Sequence, residues 1–359
     1  MAISLPTVEI LFKQLANSFV QRSERGVVIL IVRDDTDKTF ATKEYKELKE
    51  LVTESDLYTT TNYQYIADVL SFGVNKVVVV RIDTTGLIAD ALAIIGKTVK
   101  TGWVTIVGET ADYTGLITWI KSKETAGETY RAVVYNASTP NSKQIVNFGN
   151  LKVTFADTRG EVDGDNYLPS LAGILAACNV NKGSTYFKCT NLAKVEEVSD
   201  TNAALNAGKL VLINEMDSTK IGLGINSLTT FNEINTEDMR YIDIVEAMSL
   251  IRDDIKATFV NNYVGQCKNT LDNQILFVSS VNSYLSLLAD EDILDPEYKN
   301  YSDIDVVSQR NAWVTVKPEA SSWSDAQVRK TTFKRNVYLS GDIKILGAME
   351  NLKFNISMF

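Results

Sequence analysis

The chain has 359 residues, of which 45% are hydrophobic and 23% are charged, and its formal net charge is −9 at pH 7. These values are typical of a soluble protein with two or three domains, and they exclude the disordered and fibrous classes. The negative charge and the lack of a basic stripe in the sequence argue against partners such as nucleic acid or an anionic membrane.

Histidine is absent from the sequence. Catalytic sites of the Ser-His-Asp and Cys-His types, and zinc sites with histidine ligands, are therefore impossible. The odd number of widely spaced cysteines (Cys178, Cys189 and Cys267) and the absence of a CxxC motif favour reduced thiols. We expect no cofactor, no metal and no enzymatic activity, although carboxylate or lysine chemistry remains open.

The first predicted element is a short apolar strand, which precedes any compact domain. Glu9 and Lys13 interrupt the apolar residues near the N-terminus, so we expect no signal peptide. No stretch has the ~18 consecutive apolar residues of a membrane span, so we expect no membrane insertion. Residues 1–25 are predicted to form an N-terminal arm that contacts a neighbouring subunit through its apolar side chains. These side chains are Ile3, Leu5, Val8, Ile10 and Phe12.

Residues 26–155 are predicted to form an α/β domain, because buried strands and helices alternate four times. The unbroken apolar run 27–32 is typical of a strand that is buried on both faces. The alternation predicts a three-layer unit with a largely parallel sheet. The predicted strands are 27–32, 77–82, 103–107 and 130–135, the predicted helices are near 42–52, 62–70, 86–95 and 113–123, and a hairpin-like stretch covers 145–155.

Residues 156–346 are predicted to form a central and C-terminal α+β domain, which begins at the polar loop 156–164. Its best helix is 237–263, where apolar residues recur at spacings of three and four and Thr236 is the expected cap. We also predict helices over 167–178 and 273–288, strands over 210–214 and 221–228, and an acidic turn over 290–297.

The last residues alternate strictly between apolar and polar side chains, which predicts strands with one buried face. The first of these strands is the candidate acceptor in a sheet, and residues 347–359 form the candidate C-terminal arm. A strand at the end of a chain can pair within its own domain or add to the sheet of a neighbour, and the periodicity leaves both open. The acceptor residues are Val337, Leu339, Ile343 and Ile345, and the arm residues are Leu352, Phe354, Ile356 and Met358.

Three short motifs resemble ligand sites but fit structural roles better. Gly96-Lys97-Thr98 lacks the earlier glycine of a phosphate loop, since Ala91 stands there, and a helix precedes it. Gly222-Leu223-Gly224 lacks the third glycine of a dinucleotide loop and favours a bulge or a close backbone approach. Residues 163–166 lack the closing glutamate of a calcium loop and favour a turn.

Two further features are better explained by packing or by contact with a partner protein than by a catalytic or ligand-binding site. The acidic run 290–297 is interpreted as a solvated helix end, or at most as a surface that meets a basic partner. Trp103, Trp313 and Trp323 are expected to pack in a core or an interface.

Several segments together resemble the sheath proteins of contractile tails. They are Ile225-Asn226-Ser227-Leu228-Thr229-Thr230, the helix exit Asn262-Tyr263-Val264-Gly265-Gln266-Cys267-Lys268-Asn269, Ala348-Met349-Glu350-Asn351-Leu352, and Ile3-Ser4-Leu5-Pro6 with Gln21-Arg22-Ser23-Glu24-Arg25-Gly26. Gln266 departs from the pattern, because the family has lysine at that place. The short length is similar to the compact sheaths of Gram-positive contractile phages and R-type bacteriocins.

This resemblance implies a structural protein whose two arms complete sheets in neighbouring subunits. It implies stacked hexameric rings around a tail tube, with baseplate and tail terminator proteins as further partners, in a virion or bacteriocin particle assembled in the bacterial cytoplasm. Contraction of such a sheath drives the tube through a target cell envelope. The main alternative from the residues is an α/β enzyme that binds a nucleotide or sugar phosphate; a ring-forming tube subunit fits less well, because that class is mostly β.

Overall fold

The computed structural model describes residues 20, 22–178, 180 and 182–358. The backbone divides into two compact units. The helical unit comprises Asp254–Lys344, and the α/β unit comprises Ser23–Asp253 with residues 345–358. No helix within the described ranges is both long enough and apolar enough to cross a bilayer.

The described residues form strands and helices in the following order. The strands are β1 (Val27–Arg33), β2 (Thr42–Tyr45), β3 (Lys76–Ile82), β4 (Gly102–Ile106), β5 (Tyr130–Tyr135), β6 (Ile145–Phe148), β7 (Lys152–Phe155), β8 (Glu161–Asp163), β9 (Leu192–Val195), β10 (Lys209–Leu210), β11 (Leu212–Glu215), β12 (Ser218–Ile221), β13 (Tyr301–Ile304) and β14 (Leu339–Asp342). The α-helices are α1 (Leu48–Val52), α2 (Thr60–Ser71), α3 (Ile88–Thr98), α4 (Thr110–Thr125), α5 (Leu168–Ala177), α6 (Thr201–Asn206), α7 (Ile242–Asn262), α8 (Leu271–Asp290), α9 (Val306–Val314) and α10 (Asp325–Lys330).

A seven-stranded sheet with the order β10-β6-β5-β4-β1-β3-β2 forms the centre of the α/β unit. All neighbouring strands in it are parallel except β2, which pairs antiparallel with β3. The apolar runs of β1 and β3 are buried almost throughout, because helices cover both faces of a parallel sheet. The predicted three-layer unit with a largely parallel sheet is therefore confirmed.

The direction of each crossover connection determines on which face of the sheet its helix lies. The chain moves from β1 outward to β3 through α2, and from β3 back across β1 to β4 through α3. Right-handed crossovers in opposite directions place their helices on opposite faces. Accordingly, α2 packs with α5, whereas α3 packs with α4.

Three local predictions in the α/β unit are wrong. The helix predicted near 42–52 is the edge strand β2 followed by the short α1. The hairpin-like stretch 145–155 is two strands of different sheets, because β6 extends the parallel sheet while β7 pairs with β8 and β9. The strand predicted over 221–228 ends at Ile221, where β12 completes a hairpin with β11.

The long helix predicted over 237–263 is interrupted near its start. Glu237–Arg240 is a 3₁₀ turn, and Tyr241 is extended before α7 begins. Thr236 precedes the 3₁₀ turn, but its side chain makes no capping hydrogen bond. The predicted helix 273–288 is confirmed as α8, which Thr270 caps through the amide of Asn273.

The segment between the acidic turn and the terminal strands contains structure that the sequence did not predict. It comprises β13, α9, a 3₁₀ turn at Pro318–Ser322 and α10. Trp313 packs against Trp323 and Phe333, with ring centroids 5.7 and 5.1 Å apart. Trp103 is also buried, so the predicted packing role of these tryptophans is confirmed.

Candidate functional site: an exposed apolar segment and an open sheet edge

The predicted C-terminal arm is exposed along its apolar face. Leu352, Phe354, Ile356 and Met358 are 92%, 75%, 71% and 93% exposed. Residues 351–358 have no regular secondary structure, and no backbone hydrogen bond joins them to any other described residue. An exposed segment with alternating apolar side chains and free backbone groups can add as a strand to the sheet of a partner and bury its apolar face there.

The residues just before this segment are held in place on the α/β unit. The backbone amide of Ala348 donates to Asp243 Oδ2 at 3.0 Å. Thr185 Oγ1 donates to Glu350 Oε1 at 2.6 Å and accepts a hydrogen bond from the amide of Gly224 at 2.9 Å. We call residues 347–350 the tail root and residues 351–358 the tail. The root therefore has a defined position, while no backbone hydrogen bond holds the tail to the other described residues.

Gly224 permits the close approach on which the tail root depends. A Cβ atom at this position would lie 2.4 Å from Ser184 Oγ and 3.1 Å from Thr185 Oγ1. Such contacts are too short for any residue but glycine. The close backbone approach predicted for the 222–224 motif is confirmed at Gly224, where it lets the amide of Gly224 donate to Thr185 Oγ1.

The predicted acceptor strand lies in a two-stranded antiparallel sheet of the helical unit. Leu339 pairs with Ile304 and Asp342 pairs with Tyr301, so β14 covers only part of the predicted 337–345 strand. Val337, Leu339, Ile343 and Ile345 are half-buried, and the polar residues between 339 and 345 are exposed. The predicted alternation of faces is therefore present here, in a shorter strand.

One edge of this small sheet is already satisfied. The amide of Ser302 in β13 donates to Asn282 Oδ1 at 2.6 Å, and its carbonyl accepts from Asn282 Nδ2 at 3.1 Å. In the described part of the chain no strand pairs with the other edge of β14. A two-stranded sheet is marginal alone, so the open edge of β14 is where a further strand would stabilise it most.

The crevice where an α/β fold usually binds a ligand is filled by side chains. This crevice lies at the carboxyl ends of β1 and β4, where the strand order changes direction. Arg33 forms a bidentate ion pair there with Asp112, at 2.8 and 2.7 Å, and also donates to the Gly86 carbonyl. Asp112 raises the pKa of Arg33 above its ordinary value through this hydrogen bond. The pair therefore stays ionised and closes the crevice.

The motifs that resembled ligand sites have structural roles. Gly96-Lys97-Thr98 is the last turn of α3, and 163–166 leads from β8 into a 3₁₀ turn. Burial raises the pKa of Asp165 in that turn. Asp165 borders a surface depression with Glu109, Tyr113 and Asn136. Among the described residues, no cluster of three carboxylates or thiols could hold a metal ion.

The candidate site residues thus fall into three groups. The tail residues are exposed and the acceptor residues are placed on or beside β14. Ile3, Leu5, Val8, Ile10 and Phe12 lie outside the described residues. The sequence did not identify Thr185, Asp243 or Asn282, since each acts through a partner at least twenty residues away.

Comparison with known proteins finds similarity to tail sheath proteins. Residues 235–359 match the family model of the phage tail sheath C-terminal domain. The tail sheath protein of Clostridium phage phiCD119 is 28% identical over 374 aligned residues, which cover 99% of each chain.

Two solved structures have the same fold. The sheath tail protein of Desulfitobacterium hafniense has a TM-score of 0.70 at 15% identity, and the match covers 83% of this chain and 94% of that one. The contracted helical sheath of the anti-feeding prophage has a TM-score of 0.73 at 12% identity and covers 99% of both chains.

Proposed function

Because this chain is similar to a phage tail sheath protein over its length and matches the sheath family model at its C-terminal part, we propose that its copies assemble into a contractile sheath through exchanged terminal strands. In this proposal the tail of one copy adds to the open edge of β14 in a neighbouring copy. The N-terminal arm, through Ile3, Leu5, Val8, Ile10 and Phe12, joins a second neighbour. The exposed tail beside a fixed tail root is the observation that carries the proposal.

The energetics of the tail favour exchange within a lattice over binding by one tail alone. Burying its four apolar side chains gives ~1.5–3 kcal/mol each, and about four ladder hydrogen bonds give ~1 kcal/mol each. Ordering eight residues costs ~1–2 kcal/mol per residue. These contributions nearly cancel, so a single tail binds weakly. Several exchanged strands per subunit act at high effective concentration and hold the assembly together.

Strand exchange also suits a sheath that changes length. A tail that enters a neighbour's sheet is a heterologous contact, which need not close and can extend as a helix. Subunits linked by flexible strands can rotate and slide while they stay connected. We propose hexameric rings that stack around a tail tube, with baseplate and terminator proteins at the two ends. On this account the particle is a phage virion or a headless bacteriocin, assembled in the bacterial cytoplasm.

A structural role without catalysis fits the α/β unit. The Arg33–Asp112 pair fills the crevice in which a nucleotide or sugar phosphate would bind. We propose that this unit is a spacer between subunits and that the chain is not an enzyme. Saturable binding of a nucleotide or sugar phosphate to the purified chain would contradict this.

The decisive experiment removes the tail but keeps its root. A chain truncated after Glu350 should have the same melting temperature as the full chain, since the tail residues are exposed. It should form no hollow cylinders in negative-stain electron microscopy. A control with Leu87→Ser and Met216→Ser removes two equally exposed apolar side chains elsewhere and should assemble normally. Normal cylinders from the truncated chain would overturn the proposal.

A further inference from the structure

The helical unit contains a second feature that the exchanged strands do not use, a basic pocket of about 540 Å³. Among the described residues, three cationic side chains, three aromatic rings and several amides line it, and no carboxylate does. The lining residues that matter for a partner are Cys267, Lys268, Asn269, Gln274, Lys334 and Arg335. We call it the basic pocket.

The positive charge of the basic pocket is not compensated within the described residues. Lys268, Lys334 and Arg335 are exposed, and in the described part of the chain none of them forms an ion pair. Lys334 lies over the ring of Phe333 at 5.2 Å. An acidic partner would therefore gain contacts here without displacing any that exist.

The wall of the basic pocket is rigid. Asn269 Nδ2 donates to the carbonyls of Lys334 and Asn336 at 3.2 and 3.0 Å, which ties two loops together. Gln274 Nε2 donates to Asn269 Oδ1 at 2.6 Å. Gln274 is only 2% exposed, and its Oε1 has no hydrogen-bond partner among the described residues. A buried acceptor without a partner is costly, and the backbone N–H of an inserted segment would satisfy it.

The acidic turn (residues 290–297) lies at the opposite end of α8 from the basic pocket. Asp290, Asp292 and Glu297 are exposed there, while Lys268 lies three positions before Leu271, the first residue of α8, and Gln274 lies in the first turn of α8. The 20-residue α8 is roughly 30 Å long. The turn therefore cannot enter the basic pocket of its own chain.

The helix dipole makes this arrangement unfavourable in a single copy. Carboxylates at the C-terminus of a helix and cations near its N-terminus are both electrostatically unfavourable. Asp290 is the last residue of α8 and Asp292 follows two positions later. A head-to-tail contact between two copies offsets both penalties, because it brings the acidic turn of one copy to the cations of the other and the opposite charges attract.

From this complementarity we propose that the basic pocket receives the acidic turn of a second copy of the chain. The contact rests on the proposed self-assembly and adds to it a salt-sensitive joint between helical units. It is heterologous, because the two surfaces are different, so it propagates from copy to copy. Charge pairs on a surface are screened by salt, so the joint weakens as the ionic strength rises.

Cys267 provides a built-in reporter for the test, since it is exposed in the basic pocket while Cys178 and Cys189 are buried. Asp290→Cys and Glu297→Cys are made separately in the full chain and treated with a short bis-maleimide. Each should give a ladder of cross-linked dimers, trimers and higher species, about tenfold above background, because the contact raises the effective concentration of the two thiols. Asp56→Cys, an exposed position in the α/β unit, sets the background.

The outcomes separate this contact from the proposed function. Loss of the ladder when Cys267→Ser is added would confirm the pairing partner. Cross-linking no higher than with Asp56→Cys, or dimers without higher species, would overturn the contact. Hollow cylinders are scored in parallel by microscopy, so cylinders without a ladder refute this contact alone, and a ladder without cylinders refutes the sheath assembly alone.

Discussion

Replacing Glu350 by alanine should impair assembly while leaving the fold of the subunit unchanged. The hydrogen bond from Thr185 Oγ1 to Glu350 Oε1, at 2.6 Å, fixes the direction in which the tail leaves the α/β unit. A hydrogen bond to a charged group contributes about 1.5–3 kcal/mol. Without it, pairing with a neighbour must order the tail root as well as the tail.

The expected magnitude follows from this cost. Since about 1.4 kcal/mol corresponds to a factor of ten, the critical concentration for polymerisation should rise about ten- to a hundredfold. Sedimentation of the polymer over a range of subunit concentrations measures this value. Thr185→Val should have at least as large an effect, because it also removes the hydrogen bond from the Gly224 amide, and the double variant should be no worse than Thr185→Val, because both single variants remove the bond between Thr185 and Glu350. A critical concentration within about twofold of the unmodified chain, or additive effects in the double variant, would refute the reasoning.

Three further predictions concern the stability of the α/β unit, which carries the tail root. Glu246→Gln should lower the free energy of unfolding by about 3–5 kcal/mol, because Glu246 pairs with Arg131 at 2.8 Å and accepts from Trp103 Nε1. Burial lowers the pKa of Arg131 to about 10, so it stays cationic at neutral pH. Urea denaturation with the exposed Glu237→Gln as control measures this loss, and a loss under about 1 kcal/mol would contradict it. Gly224→Ala should cost about 1–3 kcal/mol by overpacking against Ser184 Oγ, whereas Gly347→Ala, whose nearest contact is 3.7 Å away, should be neutral in thermal unfolding; equal effects would contradict this. Finally, burial raises the pKa of Asp34, but hydrogen bonds from Asn62, Thr36 and Thr59 outweigh it and lower the pKa to about 2. Because the carboxylate is favoured in the folded state, its contribution is complete above pH ~4 and is lost as the pH falls towards ~2. Acid titration should show that Asp34→Asn removes about 2 kcal/mol of this pH dependence, and identical acid profiles for the two chains would contradict it.

The sequence predicted elements best where burial on both faces dictates composition. The apolar runs of β1 and β3 have no other stable environment than the centre of a parallel sheet. The edge strand β2 was missed because Thr42-Lys43-Glu44-Tyr45 is half-exposed and mostly polar, so its strand state depends on pairing with β3.

The helix α9 was missed for a related reason. Its buried residue is polar Gln309, whose Nε2 donates to the carbonyl of Val328, while Val307 is 64% exposed. A buried polar residue and an exposed apolar residue are the opposite of the pattern by which an amphipathic helix is recognised in a sequence. A hydrogen bond between residues distant in the sequence stabilises this helix. A short stretch of sequence therefore does not reveal it.

The candidate site was predictable in part. Period-two alternation identified the strand around β14, because the pattern follows directly from strand geometry. The strand with one buried face that the same alternation predicted over the tail is absent from this structure, where residues 351–358 are exposed and irregular. The tail root could not be found in this way, since Thr185 and Glu350 are 165 positions apart. The filled crevice at Arg33 and Asp112 likewise depends on a contact between residues 79 positions apart.

Assembly by strand exchange requires that the terminal strands join neighbouring copies. Electron cryo-microscopy of the assembled cylinders tests it most directly, by tracing residues 352–358 of one subunit. We expect these residues to pair with Leu339–Asp342 of an adjacent subunit. Pairing of the tail with β14 of its own chain, or a tail that contacts no other subunit, would contradict it.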